Sequence, residues 1–494
     1  MKKTKLLFWV DSFLLHYCLA YFIQQKSNYE ISAIIDVTNK AKPFFENQKL
    51  VNFEKKWFYH DFIDFKKEPN SNYLQTFEEK YQINLWNVAL NERVFYKYNP
   101  YYKFKDKEIL SFLESECRLF EKILLEYKPD FLVTLDLGLH HSNLLTKMCR
   151  KIGIKVLSVT VSKFPNNCYL SESTETLMED PDEKIDNNYS FEDLENLLNQ
   201  NNLSESLGSY YSEMRKSKFS KFSAGLSILL ESNNNIQTHF TYYGRTKLKL
   251  FLAECKNFFQ TWYRGNFLTK RSQHYIRDEK FIYFPLHQEP ERSLLIDASF
   301  YTNQIETIRH IAKSIPIDYV LYVKDHPTQG TARGWRSISN YKEILEIPNV
   351  RLIHPNVSSK DLIKKSDLVI TVSGSASFES LIYQKPSILF ADYGYQNAGI
   401  RKINCLENLP DEIRNTLNST VDIKKLSSYI SNLLKNSFEF DYFGFHLRSG
   451  NEFFYNNNTV DVSIQEEQMK QYLIKEEIFF KNITQSHLRF IETI

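Results

Sequence analysis

Residues 367–390 read DLVITVSGSASFESLIYQKPSILF. An apolar and β-branched run, 368–372, stops on a turn built of glycine and serines. A short helical pattern follows, and QKP closes it before a second apolar run. Strand, tight turn, helix and strand within so short a span is the signature of a parallel crossover. The same alternation extends N-terminally. KFIYFPLH (280–287) is a strand, followed by helix 303–314, strand 318–323, helix 340–347, strand 350–353 and helix 359–366. The run 387–390 adds one more strand.

A second alternation occupies the N-terminal part. KLLFWV (5–10) is a buried strand, SFLLHYCLAYFIQQ (12–25) a helix with Ser12 as its N-cap, and YEISAIID (29–36) a second strand. Residues 106–127 carry an amphipathic helix. PDFLVTLD (129–136), HSNLLTKMCRKIG (141–153) and IKVLSVT (154–160) complete strand, helix and strand. Residues 40–105 are aromatic and lysine-rich without a clear period.

The expected fold class is α/β, with two Rossmann-like domains facing a cleft, a helical linker and a C-terminal helical tail. The boundaries drawn are an N-terminal domain 1–170, an acidic loop and helical linker 171–275, a C-terminal domain 276–440 and a tail 441–494.

The bulk numbers exclude several classes. A net charge of +2 over 494 residues gives no broad attraction to nucleic acid. The six cysteines form no CxxC or Cys/His cluster, which fits a reducing compartment without a zinc site. No apolar run reaches a membrane span. The basic head and apolar stretch at 1–25 resemble a signal peptide, but Asp11 and His16 interrupt it and no small-residue cleavage site follows. A first strand and helix is the expectation.

Ligands of open α/β sheets bind beyond the carboxyl ends of the strands. In the C-terminal half, three such ends carry suggestive residues. Ser373, Gly374, Ser375 and Ser377 form a turn able to offer amides and hydroxyls to an anion, with Glu379 in the helix after it. The stretch VKDHPTQGTARG (323–334) supplies Lys324, His326 and Arg333, and Asp325 reads as a solvated loop charge. PLHQEPERS (285–293) supplies His287 and Glu291. In the N-terminal half, TLDLGLHHSN (134–143) ends a strand on Asp136 and opens a helix on His140 and His141. Asp136 is the candidate general base, with His140 the alternative. Asp180 and Asp182 have the spacing of metal-dependent sugar transferases, but a polar, proline-bearing context makes them a solvated loop, and no metal is expected. GRTKLKLFLAECKNFFQTWYRG (244–265) interleaves basic and apolar residues. It reads as a linker helix packed between domains, or one resting on an anionic membrane surface.

Residues 281–396 together resemble the capsule polysaccharide biosynthesis and export family, which includes the bacterial β-Kdo transferases. The resemblance rests on PLH followed by PE, TNQIETIRHIAKSIP, VKDHP with a later Gly and Arg, IPNVRLIHP, and the quoted stretch, in that order. One departure is Glu289 where the family has glutamine; an extra carboxylate there would repel an anionic donor. The resemblance implies a GT-B architecture and a glycosyltransferase activity. The reaction expected on that basis is inverting and metal-independent and uses no cofactor, and the expected location is the cytoplasm or the cytoplasmic face of the inner membrane. The substrates would be a nucleotide-sugar donor, such as CMP-Kdo or another CMP-sugar, and a glycan or glycolipid acceptor. A peripheral contact with the inner membrane or a capsule assembly complex is also implied. Lys324, His326, Arg333 and the serine turn would hold the donor phosphate. Rival readings are a polyol-phosphate transferase, a nucleotide-sugar epimerase, and a non-catalytic scaffold of an export complex.

Overall fold

The computed structural model describes residues 3–135, 138–164, 166–173, 176–177, 189–200, 246–330, 334–391 and 394–493, with isolated positions from 210 to 244. The chain divides into two units. The first comprises Met1–Ser173, Leu203–Phe251 and Asn436–Ile494; the second comprises Thr174–Asn202 and Leu252–Lys435.

The first unit is built on β1 (Lys5–Asp11), β2 (Glu30–Asp36), β3 (Lys56–Phe58), β4 (Phe131–Thr134), β5 (Lys155–Val161) and β6 (Asn167–Ser173). A two-residue strand, β7 (Thr176–Leu177), follows in sequence. The first five strands pair in parallel in the order β5-β4-β1-β2-β3. Near-continuous burial of β1, β2 and β4 explains their unbroken apolar runs, since a parallel sheet is covered on both faces. The helix Asp106–Tyr127 has the expected bounds. Glu108 at its start accepts from the Lys105 amide at 2.7 Å, and its buried face runs Ile109, Phe112, Leu113, Glu116, Phe120, Ile123. Ser12 does not cap the first helix: Leu14 precedes it in the left-handed conformation (φ 64°), and Ser12 is buried. The segment with no clear period holds the helices Lys42–Asn47, Ser71–Tyr81 and Leu85–Leu90. The C-terminal tail is part of this unit. The last strand of the chain, Ser437–Glu439, pairs antiparallel with β6, and helix Glu466–Thr493 stacks Phe480 on Phe22 of helix Leu15–Lys26 at 5.1 Å.

The second unit is an all-parallel sheet of β8 (Phe281–Pro285), β9 (Val320–Lys324), β10 (Val350–Ile353), β11 (Leu368–Thr371), β12 (Ser387–Leu389) and β13 (Arg401–Lys402), ordered β10-β9-β8-β11-β12-β13. The register Pro285↔Lys324 and Tyr283↔Val369 sets the tips of β9, β8 and β11 side by side. Alternate residues feed two cores: Leu321, Val323 and Ile370 on one face, Tyr283, Tyr322 and Val369 on the other. A fully buried side chain of this size contributes about 1.5–3 kcal/mol. Both units are thus Rossmann-like parallel α/β structures.

Candidate functional site

In the second unit, the tip of β8 is tied to the serine turn after β11. The Ser373 amide donates to His287 Nε2 at 3.2 Å, and Thr371 Oγ1 lies 3.2 Å from the same nitrogen. A ring nitrogen that accepts an amide hydrogen carries no proton, so the hydrogen of a neutral imidazole sits on Nδ1. Nδ1 faces Ser293 Oγ at 3.5 Å and Glu291 Oε2 at 4.0 Å. Gly374 closes this packing. A Cβ there would meet Thr371 Oγ1 at 2.7 Å and His287 Cε1 at 3.4 Å, so only glycine fits. The serine hydroxyls bind locally: Ser373 donates to the Ser293 carbonyl at 3.2 Å, Ser375 to Glu379 at 3.1 Å and Ser377 to the Gly374 carbonyl at 2.7 Å. Those three hydroxyls shape the turn. Its middle, Gly374 to Ala376, is the half-exposed part.

The tip of β9 is organised by Arg336, which sequence reasoning missed. Its Nε lies 3.1 Å from Asp325 Oδ1, one terminal nitrogen lies 2.7 Å from Glu289 Oε1, and the other donates to the His287 carbonyl. Asp325 also accepts from Tyr341 OH at 2.6 Å. It is fully buried, not the solvated loop charge expected. Glu289 likewise does not stand bare before a ligand: besides Arg336 it accepts from Gln304 Nε2 at 2.6 Å. The charge expected to repel an anionic donor is neutralised from beneath.

His326 is half-buried, and its Nδ1 accepts from the Thr328 amide at 3.3 Å with Thr328 Oγ1 at 2.8 Å. Burial lowers its pKa, so the ring is neutral at pH 7, and Nε2 is then the donor. Lys324 is buried. Its amine donates to the Val357 carbonyl and to Ser359 Oγ, both at 2.6 Å, and burial pushes it down to about 8. It braces the start of helix Ser359–Lys365. Arg333 lies outside the described residues, as do Asp136, Asp180 and Asp182. A cavity of about 790 Å³ elsewhere in this unit, lined by Ser387, Arg401, Lys402, Asn404 and Lys425, contains none of the expected site residues.

The first unit gathers a buried cluster at the carboxyl ends of its strands. Asp11 and Asp36 are register partners at the ends of β1 and β2. Asp36 pairs with His60 Nε2 at 2.9 Å and lies 3.7 Å from His141 Nε2, whose ring stacks on Trp9 at 4.8 Å. His140 is held between carboxylates: Nδ1 is 2.7 Å from Glu92 and Nε2 is 2.9 Å from Glu116, which also accepts from Tyr59 OH. Burial alone would push the imidazole down. Glu116 and Glu92 outweigh it and raise the pKa to about 10. His140 is therefore an imidazolium, not the base considered from the sequence. Glu116, His140 and His141 present potential ligand atoms within 4.8 Å of one another. With both ring nitrogens engaged by carboxylates, His140 has no lone pair for a cation.

Asp11 is different. Its Oδ1 accepts from the Phe13 amide at 2.9 Å, while buried Oδ2 has no hydrogen-bond partner among the described residues. Burial, then the neighbouring charge of Asp36, push this carboxyl up to about 7. Besides His140 and His141, the legible sign of this cluster in the sequence was a carboxylate within an apolar stripe, as Glu116 is.

Residues 192–426 match the family model described as capsule polysaccharide biosynthesis protein. The resemblance read from residues 281–396 falls inside that span. No curated protein matches by sequence. Among solved structures, the Thermosulfurimonas dismutans KpsC beta Kdo 2,7 transferase is similar at 12% identity and a TM-score of 0.30, over 64% of this chain and 80% of that one. The beta Kdo 2,4 transferase of the same KpsC gives 14% and 0.27, over 64% and 85%. The Methanocaldococcus jannaschii UDP-GlcNAc 2-epimerase gives 13% and 0.26, over 88% and 100%. At such TM-scores no residue's role transfers.

Proposed function

We propose that this chain, which resembles capsule polysaccharide biosynthesis proteins over residues 192–426, is a glycosyltransferase that moves a sugar from a nucleotide donor to a glycan or glycolipid acceptor. The observation that carries the reading is the cross-linking of three adjoining strand tips in the second unit. His287 seats the turn 373–377, and Arg336 ties the β8 tip to Asp325, next to His326. Such bracing holds donors in place before the ligand arrives, which is what stabilising a leaving phosphate requires. In this reading His326 Nε2–H and the half-exposed backbone of the turn meet the donor phosphate. His287, Lys324 and Arg336 position them. The donor is a nucleotide-sugar, with a CMP-linked acid the first to test.

The acceptor hydroxyl needs a base. His140 is excluded by its charge, which leaves Asp136 and Asp11. Burial raises the Asp11 carboxyl to about 7 and leaves one oxygen without a hydrogen-bond partner among the described residues, but the side chain is buried, so Asp136 is the base we carry forward. The route we carry forward is inverting and free of metal, with in-line attack on the anomeric carbon.

The test is turnover of CMP-, CDP- and UDP-sugars with a capsular acceptor, read by product NMR. A new glycosidic bond of inverted anomeric configuration is expected, and His326→Ala should lower turnover about 10²-fold. Retention would overturn the inverting route. A phosphodiester or a free epimerised sugar would overturn the transferase reading.

A further inference from the structure

The helix Lys247–Arg271 is amphipathic in an inverted sense. At about 100° per residue, Phe251, Leu252, Phe258, Phe259, Trp262 and Tyr263 fall within an arc of about 140°. Each of them is 56–71% exposed. The opposite side is the one that packs. Leu268 is buried in the second unit's core and Arg264 donates to the Trp335 carbonyl at 2.8 Å, while Gly265, at the flank of the arc, lies against the Trp335 ring. A surface helix ordinarily turns its apolar stripe to the core. Here five aromatic rings and Leu252 face outward along about 18 Å of helix.

The charge pattern selects the occupant. Between 247 and 271 the sequence has six lysines and arginines and one carboxylate, Glu254. Lys256 and Lys270 are exposed; Lys256 lies about 20° beyond the edge of the arc, and Lys270 falls within it about two turns past Tyr263. A second copy docked stripe to stripe about a two-fold axis would bring these cations toward their own images. An anionic lipid surface meets both features at once: rings and aliphatic chains enter the headgroup boundary, and lysines lie among phosphates. No helix among the described residues is long and apolar enough to cross a membrane, so the geometry is that of a helix lying in the interface.

We infer that the outward face of helix Lys247–Arg271 docks this protein onto an anionic lipid bilayer. The inference is independent of the transferase reading, which stands or falls on turnover with soluble substrates. The experiment is co-sedimentation of the full chain with vesicles of phosphatidylcholine alone and of phosphatidylcholine with phosphatidylglycerol. The protein is expected to pellet with the anionic vesicles and to be released by raised salt. Phe258→Glu with Trp262→Glu should weaken binding at least tenfold, and Lys256→Glu with Lys270→Glu should do so on anionic vesicles. Both pairs are exposed, so the circular dichroism spectrum and thermal midpoint should stay close to those of the parent. Failure of the parent to pellet with anionic vesicles would overturn the inference, as would undiminished binding by the Phe258/Trp262 variant. So would light scattering that shows a dimer dissolved by that variant with no vesicle binding, since the face would then belong to a second copy.

Discussion

Replacing Arg336 with methionine removes the cation beneath the strand tips while keeping most of the stem. In the native structure the guanidinium meets Asp325 at 3.1 Å and Glu289 at 2.7 Å. Asp325 is fully buried, and the Glu289 side chain is 14% exposed. Without Arg336 two carboxylates are left with only neutral donors: Tyr341 OH and the His326 amide for Asp325, Gln304 for Glu289. Removing one partner of a buried ion pair costs about 3–5 kcal/mol. For a unit of this size each kcal/mol lowers the midpoint by about 2–4 °C, so a fall of roughly 6–20 °C is expected for the second unit. Thermal unfolding followed by circular dichroism and calorimetry reads it. A further arm tests the cause. Adding Asp325→Asn and Glu289→Gln removes the stranded charges and should restore at least half of the loss. A loss under about 1 kcal/mol, where removal of a buried partner should cost several, would refute the reasoning. So would a triple variant no more stable than Arg336→Met.

Three further outcomes follow from the packing and charge. Gly374→Ala drives a Cβ to 2.7 Å from Thr371 Oγ1 and presses on His287; nucleotide affinity by calorimetry should fall about tenfold or more, with an overpacking cost of about 1–3 kcal/mol. Gly330→Ala places a Cβ 2.1 Å from the Trp335 ring, and a destabilisation of similar size should appear in urea unfolding. His140 should stay protonated well above pH 7, since its folded pKa is raised to about 10. Its contribution to stability is complete below pH 6.5 and is lost as the pH rises through about 10, with a slope up to about 1.4 kcal/mol per pH unit. Ring ¹⁵N shifts across a titration check this, and a neutral ring by pH 7.5 would remove the imidazolium assignment.

Local pattern determined a great deal here. Period-two and period-3.6 runs encode strands and helices through short-range contacts, so the helix Asp106–Tyr127 was legible to the residue and the alternation from β8 to β12 to within about two residues at each end. The tips bearing His287, His326 and Ser373 were legible too, because parallel sheets place loops and ligands at strand ends. What escaped were the partnerships. Nothing near Arg336 announces that it reaches back to Asp325 and Glu289. Asp36, His60, Glu92, Glu116 and His140 come from segments far apart in sequence. Whether a charge is solvated or buried depends on what packs over it, and only the assembled sheet decides that. The period of Lys247–Arg271 fixed an apolar stripe but not its direction. That direction was decided by Leu268 and Arg264, which anchor the opposite face to the core and the Trp335 backbone and leave the aromatic rings outside.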